Sequence, residues 1–242
     1  MKTSNKILLV LFLSIFGFIV ITEALLSAKY GKNDYTPEDE FNTYYYYQQN
    51  FINIHHVYLN GLAQCQVYTA DTTKLMLEKA SLSYAEFYVH ADTLFVKGVK
   101  QHSLDAEGKA VHSPQEVRLY IPASTTITAI NSNIGVDGDK PVTLIKPRTI
   151  ILNNSNLYTR YYSNRDSVNR YFDTLTVFAK NKSGVYLFHN DYFKKIDIVL
   201  DSSIFNDSNA KIDDLHITAD TSSTVVVNGT NIPKLNAPAI GK

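Results

Sequence analysis

The chain of 242 residues contains one cysteine, Cys65, and no tryptophan. A single cysteine excludes an intrachain disulfide, so side-chain packing and backbone pairing must hold the fold together. The chain also has no excess of charge of either sign, because 23 basic residues balance 23 acidic ones and form no basic block. This balance makes nucleic acid and anionic membrane surfaces poor candidate partners.

Apolar residues make up 45% of the chain, and 17 tyrosines and 12 phenylalanines are present. After residue 50, short runs such as 57–59, 75–77 and 117–121 place apolar residues at alternate positions. Alternation with period two is typical of half-buried strands. Because no stretch after the N-terminus has helical periodicity, the sequence predicts an all-β domain over residues 51–230.

The N-terminus is the one long hydrophobic stretch. Lys2 and Lys6 precede an apolar run over 7–21, and Glu23 is the only charge as far as residue 26. About 20 apolar residues span a bilayer core. We predict a signal anchor, an uncleaved transmembrane helix within 1–28, with a cleaved signal peptide as the alternative. Residues 29–50 are then a tether, and residues 30–242 lie outside the cytoplasm.

Serine recurs in the second half of the chain at matching points of successive segments. The positions are Ser132, Ser155, Ser183, Ser203 and Ser223, at intervals of 23, 28, 20 and 20 residues. A period near 20 predicts a parallel β-helix, or solenoid, in which stacked coils bury a shared core. A β-sandwich is the alternative, but a sandwich does not require serine at repeating offsets. The tail, residues 231–242, closes the last coil.

The order of the motifs from residue 51 to 230 resembles the auto-transporter adhesin head GIN domain family, a domain of unknown function common in Bacteroidetes. The resemblance begins at Phe51-Ile-Asn-Ile54 and continues through Val57-Tyr-Leu59-Asn-Gly61. It includes Val117-Arg-Leu119-Tyr-Ile121-Pro122 and the serine-containing segments. It implies a right-handed single-chain β-helix without established activity or cofactor. This sequence departs from the family in its helical anchor and in its few glycines.

The segment between Tyr158 and Asp173 is polar and aromatic, and the longest serine interval contains it. Exposed aromatic rings beside arginine suit contacts with sugars or proteins. The alternative is that these rings simply cover the flank of the domain. The candidate binding residues are Tyr158, Arg160, Tyr161, Tyr162, Arg165 and Tyr171.

Other residues offer weaker chemistry. Asp201 and Asp220 are 19 residues apart and could stack as an acid/base pair or a cation site, as in β-helical polysaccharide lyases. His55 and His56 are adjacent in a predicted strand, so they face opposite sides and do not share a metal ion. Cys65 lies in an alternating strand and is predicted to be a buried, inert thiol.

Together these patterns predict a membrane-anchored, periplasmic or extracytoplasmic β-solenoid of the bacterial cell envelope. We expect it to be non-catalytic, without metal or cofactor, and to present a surface to a glycan or a cell-envelope protein. The alternative is a carbohydrate-active enzyme that uses the face carrying Asp201 and Asp220.

Overall fold

The computed structural model describes residues 12, 14–18, 20–23, 45–99, 116–137, 144–145, 148–159, 170–189 and 191–236. The chain divides into two compact units, Met1–Tyr44 and Tyr45–Lys242. In the first unit, the described residues are helical. The second unit is all-β, as the alternating sequence pattern predicts.

Nineteen strands and two short 3-10 helices make up the described part of the second unit. In chain order they are β1 (Tyr46–Phe51), β2 (His56–Asn60), β3 (Gln64–Thr69), β4 (Thr73–Glu78), η1 (Lys79–Tyr84), β5 (Ala85–His90), β6 (Thr93–Gly98), β7 (Glu116–Ile121), β8 (Thr126–Ile130), β9 (Asn133–Asp137), β10 (Leu144–Ile145), β11 (Arg148–Asn153), β12 (Asn156–Tyr158), β13 (Arg170–Lys180), β14 (Gly184–Tyr186), β15 (Asp191–Asp201), β16 (Ile204–Asn206), β17 (Lys211–Ala219), β18 (Thr224–Val226), η2 (Ile232–Lys234) and β19 (Leu235–Asn236).

The strands form two large sheets. Sheet A has nine strands in the order β1-β4-β7-β3-β9-β12-β14-β16-β18, and sheet B has ten strands. The main path of sheet B is β19-β17-β15-β13-β11-β8-β2-β6-β5, and β10 pairs with β13 beside it. Most pairs are parallel, but β1–β4, β4–β7 and β5–β6 are antiparallel.

This arrangement contradicts the predicted single-chain parallel β-helix. The structure has two large mixed sheets and is not a closed solenoid. The difference originates in the first half of the domain, where a two-residue turn at Ala91 and Asp92 reverses the chain between β5 and β6. The short connection after Thr69 similarly leads into β4, which runs antiparallel to β7. Strand order is also not sequential there, because β2 lies between β6 and β8.

The predicted transmembrane helix is also contradicted. No helix in the part of the chain that the structure describes combines the length and apolarity needed to cross a lipid bilayer. The described helical residues near the N-terminus are 12, 14–18 and 20–23.

The register in the second half agrees with the serine spacing. In sheet A, Ile134 pairs with Leu157, Leu157 with Val185, Val185 with Phe205, and Phe205 with Val225. These separations of 23, 28, 20 and 20 residues match the serine intervals. The sequence therefore predicts correctly which segments are neighbours, although the architecture predicted from them is wrong.

The core lies between the inward faces of the two sheets. Alternate residues of each strand face inward, and Leu157, Val185 and Phe205 are fully buried in this way in sheet A. Phe172 and Phe193 stack in the core with centroids 4.5 Å apart and an interplanar angle of 12°. Burying a side chain of this size stabilises a protein by about 1.5–3 kcal/mol. The aliphatic and aromatic bias of the strands therefore supplies the core that a chain without disulfides needs.

A row of tight corners connects the sheets in the second half. Asn131, Asn154, Asn181 and Ser202 all have positive φ angles, between 49° and 56°. Asparagine tolerates this left-handed conformation better than most residues, because its short side chain can hydrogen-bond locally. The amide of Asn154 donates to the Asn131 side-chain oxygen at 2.7 Å, so the corners are also linked to one another.

Candidate functional site

One row of outward-facing side chains runs across eight strands of sheet B. Adjacent members are direct register partners from β5 to β17. At about 4.8 Å between strands, the row is about 34 Å long. We name it the central row, and its members are Tyr88, Phe95, Tyr58, Thr128, Ile151, Phe178, Val199 and Thr218.

In the inner strands of sheet B, the central row faces outward because its neighbours along each strand face the core. Ile150 and Leu152 are fully buried on either side of Ile151, and Ile198 and Leu200 are buried on either side of Val199. Tyr88 is 57% exposed, Phe178 44% and Val199 41%. Six of the eight members are aromatic or aliphatic, so sheet B carries an apolar stripe on its outer face.

The aromatic rings of the central row pack on each other. The rings of Tyr88 and Phe95 stack with centroids 4.9 Å apart and an interplanar angle of 7°. Tyr58 lies on the other side of Phe95, with centroids 5.4 Å apart and an angle of 44°. Phe95 therefore lies between two aromatic rings, one stacked on it and one tilted against it.

Polar residues flank the central row on both sides. On one side lie Glu86, Lys97, Asn60, Asn153, Lys180 and Asp201, in which two acidic and two basic side chains balance, and Ile130 is the one apolar member of this flank. On the other side lie, in two groups, His90, Thr93, His56 and Thr126, and then Thr149, Thr176, Asp197, His216 and Asn236. An apolar centre with a polar rim is the usual anatomy of a protein–protein interface.

Two of the six predicted binding residues are described, and they lie in different sheets. Tyr158 is in β12 of sheet A, where its ring stacks on Tyr186 with centroids 5.2 Å apart. Partial burial and the neighbouring Tyr186 both raise the pKa of Tyr158. Tyr171 is in β13 of sheet B, is 41% exposed and packs at an angle on Tyr192. Arg160, Tyr161, Tyr162 and Arg165 lie outside the described residues, so this predicted site stays a prediction.

Asp201 and Asp220 are the carboxylates of the enzymatic alternative, and both accept hydrogen bonds from nearby residues. Asp220 accepts hydrogen bonds from the Ser202 backbone N–H and from the hydroxyls of Ser222 and Ser223. These donors lower the pKa of Asp220 to about 2, with the Ser222 hydroxyl as the largest contribution. Asp201 accepts from the Ser202 hydroxyl at 3.3 Å. This set of donors fixes the Asp220 carboxylate as the cap of a turn.

Asp213 and Asp214 also contact neighbouring side chains. Asp213 accepts from the Tyr192 hydroxyl and lies 3.6 Å from the Lys234 ammonium. Asp214 lies 3.0 Å from His216 and accepts from the Asn236 amide. Among the described residues, no group of three or more histidine, cysteine, aspartate or glutamate side chains is placed to hold a metal ion.

Cys65 is fully buried in β3, as the sequence predicts. Burial raises the pKa of its thiol far above the ordinary value. Since the thiolate is the reactive form of cysteine, this environment keeps the thiol unreactive. His55 and His56 are both exposed, and the His56 Nε2 atom lies 3.9 Å from an Asp92 carboxylate oxygen.

Sequence reasoning missed the central row, although a signal for it is present. Three of its members lie within uninterrupted apolar triplets, Ile150-Ile-Leu152, Val177-Phe-Ala179 and Ile198-Val-Leu200. A strand with one solvated face normally alternates, whereas an uninterrupted triplet places an apolar side chain on the outer face as well. When such triplets recur in strands that pair with each other, they predict an apolar stripe across the outer face of the sheet.

No protein-family model matches the sequence, and no curated protein is similar to it. Among solved structures, a proposed adhesin from Parabacteroides distasonis is 14% identical, with 80% of this chain and 74% of that chain covered and a TM-score of 0.49. A proposed lipid-binding protein from the same species is 9% identical over 80% and 97% of the two chains, with a TM-score of 0.32. A proposed adhesin from Bacteroides fragilis is 10% identical over 75% and 96%, also with a TM-score of 0.32. At these sequence identities and TM-scores, the similarities establish neither a shared function nor membership of a family.

Proposed function

We propose that this protein is a non-catalytic binding module of the cell surface, and that the outer face of sheet B binds a protein partner. The observation that carries the proposal is the central row, an apolar stripe about 34 Å long with polar residues on both sides. Isolated exposed apolar side chains are normal, whereas a contiguous stripe is typical of an interaction surface.

The ring geometry favours a protein partner over a glycan. A sugar ring stacks on an open aromatic face, but Phe95 lies between the rings of Tyr58 and Tyr88, and Tyr88 stacks directly on it. Toward β17 the row continues with Ile151, Phe178 and Val199, whose shapes suit an apolar side chain of a partner. The balanced charges of the flank also give no preference for a polyanionic glycan.

The sequence lends independent support to a binding role outside the cytoplasm. The motif order over residues 51–230 resembles an adhesin-associated domain family for which no activity is established. The carboxylates of the enzymatic alternative cap turns or pair with neighbouring side chains, which supports a structural role for them. An adhesive surface also requires no cleft with converging acid and base groups.

The proposal can be tested by binding of the full chain to cell-envelope material from its source organism. Phe178→Asp places a charge in the middle of the central row, at a side chain that is 44% exposed. We expect this change to weaken binding at least tenfold, because the partner would have to desolvate the carboxylate. Thr224→Asp is the matched control, since it introduces the same charge at an exposed position of sheet A.

Treatment of the envelope material separates the two classes of partner. Protease treatment should abolish binding of the unmodified chain, whereas periodate oxidation of glycans should leave it intact. Equal binding by the Phe178→Asp and Thr224→Asp variants would refute a role for the central row. Loss of binding after periodate, but not after protease, would refute a protein partner.

A further inference from the structure

Arg148 is an arginine almost completely buried between the two sheets. It is the first residue of β11, faces inward with Ile150 and Leu152, and is 3% exposed. Its Nη2 atom donates to the Thr69 hydroxyl at 3.2 Å and to the Ile121 carbonyl oxygen at 3.4 Å. Both of these acceptors are neutral.

The remaining donors of Arg148 have no acceptor among the residues that the structure describes. The Nε and Nη1 atoms are both buried without a hydrogen-bond partner. These two nitrogens carry three of the five N–H groups of a guanidinium. A buried donor without a partner is costly, so three at one side chain indicate that an acceptor belongs there.

Thr125 adds a further polar group on the same side of sheet B. It is 1% exposed, and its hydroxyl also has no partner among the described residues. Ile127 of β8 pairs with Ile150 of β11. Thr125 lies two residues before Ile127 and Arg148 lies two residues before Ile150, so the two occupy equivalent positions in neighbouring segments. Both face inward, at the same end of neighbouring strands.

The charge of Arg148 makes this cluster different from an ordinary buried polar group. Burial lowers the pKa of Arg148 to about 10, so the guanidinium still carries its proton at neutral pH. Buried charges in proteins are normally paired or hydrogen-bonded by an opposite charge. In the described part of the chain, no carboxylate lies within ion-pair distance of Arg148.

We propose that Arg148 and Thr125 form a buried binding site for a small oxyanion, a carboxylate or phosphate group, between the sheets. The site offers N–H and O–H donors and a positive charge, and none of the described residues brings a carboxylate within ion-pair distance of Arg148. An oxyanion supplies both the negative charge and several acceptor oxygens, whereas water supplies no charge and a halide is a single acceptor. The site is separate from the central row, which lies on the opposite face of sheet B.

The test is the thermal stability of the full chain at constant pH and ionic strength. Sodium chloride is replaced stepwise by sodium phosphate in one series and by sodium acetate in another. A ligand that binds only the folded state raises the melting temperature with the logarithm of its concentration. We expect such a rise for the unmodified chain, and the series that produces it identifies phosphate or carboxylate as the preferred group.

Two variants assign the effect to the site. Arg148→Met removes the charge while keeping an extended apolar side chain, and we expect its melting temperature not to respond to either anion. Lys211→Met, which removes an exposed positive charge from β17, should respond as the unmodified chain does. Thr125→Val keeps the shape and removes the hydroxyl, so it should require about tenfold more anion for the same rise.

The Thr125→Val variant keeps the test decisive if Arg148→Met fails to fold. A melting temperature that responds equally to chloride, phosphate and acetate in the unmodified chain would overturn the proposal. An equal response of the unmodified chain and the Thr125→Val variant would also overturn it, since the anion would then bind elsewhere.

Discussion

Ser132 and Ser155 are 23 residues apart in the sequence, and the Ser132 backbone N–H donates a hydrogen bond to the Ser155 hydroxyl at 3.1 Å. The same relationship recurs along the corner. The Ser155 N–H donates to the Ser183 hydroxyl at 3.2 Å, and the Ser203 N–H donates to the Ser223 hydroxyl at 3.1 Å. In each of these three pairs, the later serine satisfies a backbone N–H of the preceding segment, so the corner carries a ladder of hydrogen bonds.

The first prediction concerns this ladder. In Ser155→Ala, the buried Ser132 N–H loses its acceptor, and the Asn153 carbonyl oxygen loses the Ser155 hydroxyl as a donor. An unsatisfied buried donor costs about 1–3 kcal/mol. We expect the free energy of unfolding to fall by that amount in urea titrations followed by circular dichroism.

Thr221→Ala is the control for this experiment. It removes a hydroxyl at an exposed position of the last turn and should change the free energy of unfolding by less than about 0.5 kcal/mol. If Ser155→Ala were no more destabilising than Thr221→Ala, the ladder would not be a source of stability.

The ladder also indicates how much of the fold the sequence can predict. Ser183 and Ser223 are recognisable because a corner imposes the same requirement on successive segments, a short side chain that accepts a hydrogen bond from a backbone N–H of the preceding segment. The repeat therefore fixes the register of neighbouring segments. It does not determine strand direction in segments that lack the serine.

Strand direction was mispredicted in the first half for a physical reason. Alternation with period two reports which face is buried, and it is identical in parallel and antiparallel strands. The apolar pattern of β4 and β5 is thus compatible with either direction. Direction depends there on the turn at Ala91 and Asp92, where Ala91 adopts a φ of 52° that its sequence does not predict.

The candidate site was missed for a related reason. Sequence reasoning placed the binding surface at Tyr158 and the polar segment after it, where aromatic and basic residues are close in sequence. The central row joins residues from eight separate strands, so only the register brings Tyr88 and Val199 onto one line. An apolar residue within a strand triplet cannot be assigned to a surface stripe until its cross-strand neighbours are known.

The second prediction concerns a buried polar contact at the last segments. Asn231 is 2% exposed, and its amide donates to the Asp207 carboxylate and to the Ala210 carbonyl oxygen, both at 2.8 Å. Asn231→Asp keeps the shape but replaces the donor with a second carboxylate. We expect the free energy of unfolding at neutral pH to fall by about 3 kcal/mol or more, because two like charges would be buried together.

The control is Asn209→Asp, which adds the same charge at an exposed residue two positions after Asp207. It should have little effect on the free energy of unfolding. Acidification should partly rescue Asn231→Asp, since protonation of one of the two carboxylates removes the repulsion. A loss in Asn231→Asp that is independent of pH would contradict the electrostatic cause.

The third prediction concerns the pH dependence of stability at Asp220. Hydrogen bonds from Ser222, Ser223 and the Ser202 N–H lower its pKa in the folded state to about 2, from an ordinary value of 3.8. A group with a lowered folded pKa stabilises the fold above its unfolded pKa. That stabilisation is lost as the pH falls through the folded pKa. Asp220→Asn should therefore be less stable than the unmodified chain above about pH 4, and the difference should shrink toward pH 2.

Urea unfolding at a series of pH values between 2 and 6 measures this difference. Asp71→Asn makes the same change of charge at an exposed position and so measures the effect of net charge alone. If the gap between Asp220→Asn and the unmodified chain stayed constant over this range, the variant would act through packing of the turn. A gap that closes on acidification, with no such trend in Asp71→Asn, identifies the ionised carboxylate as the group that holds the last serine corner in place.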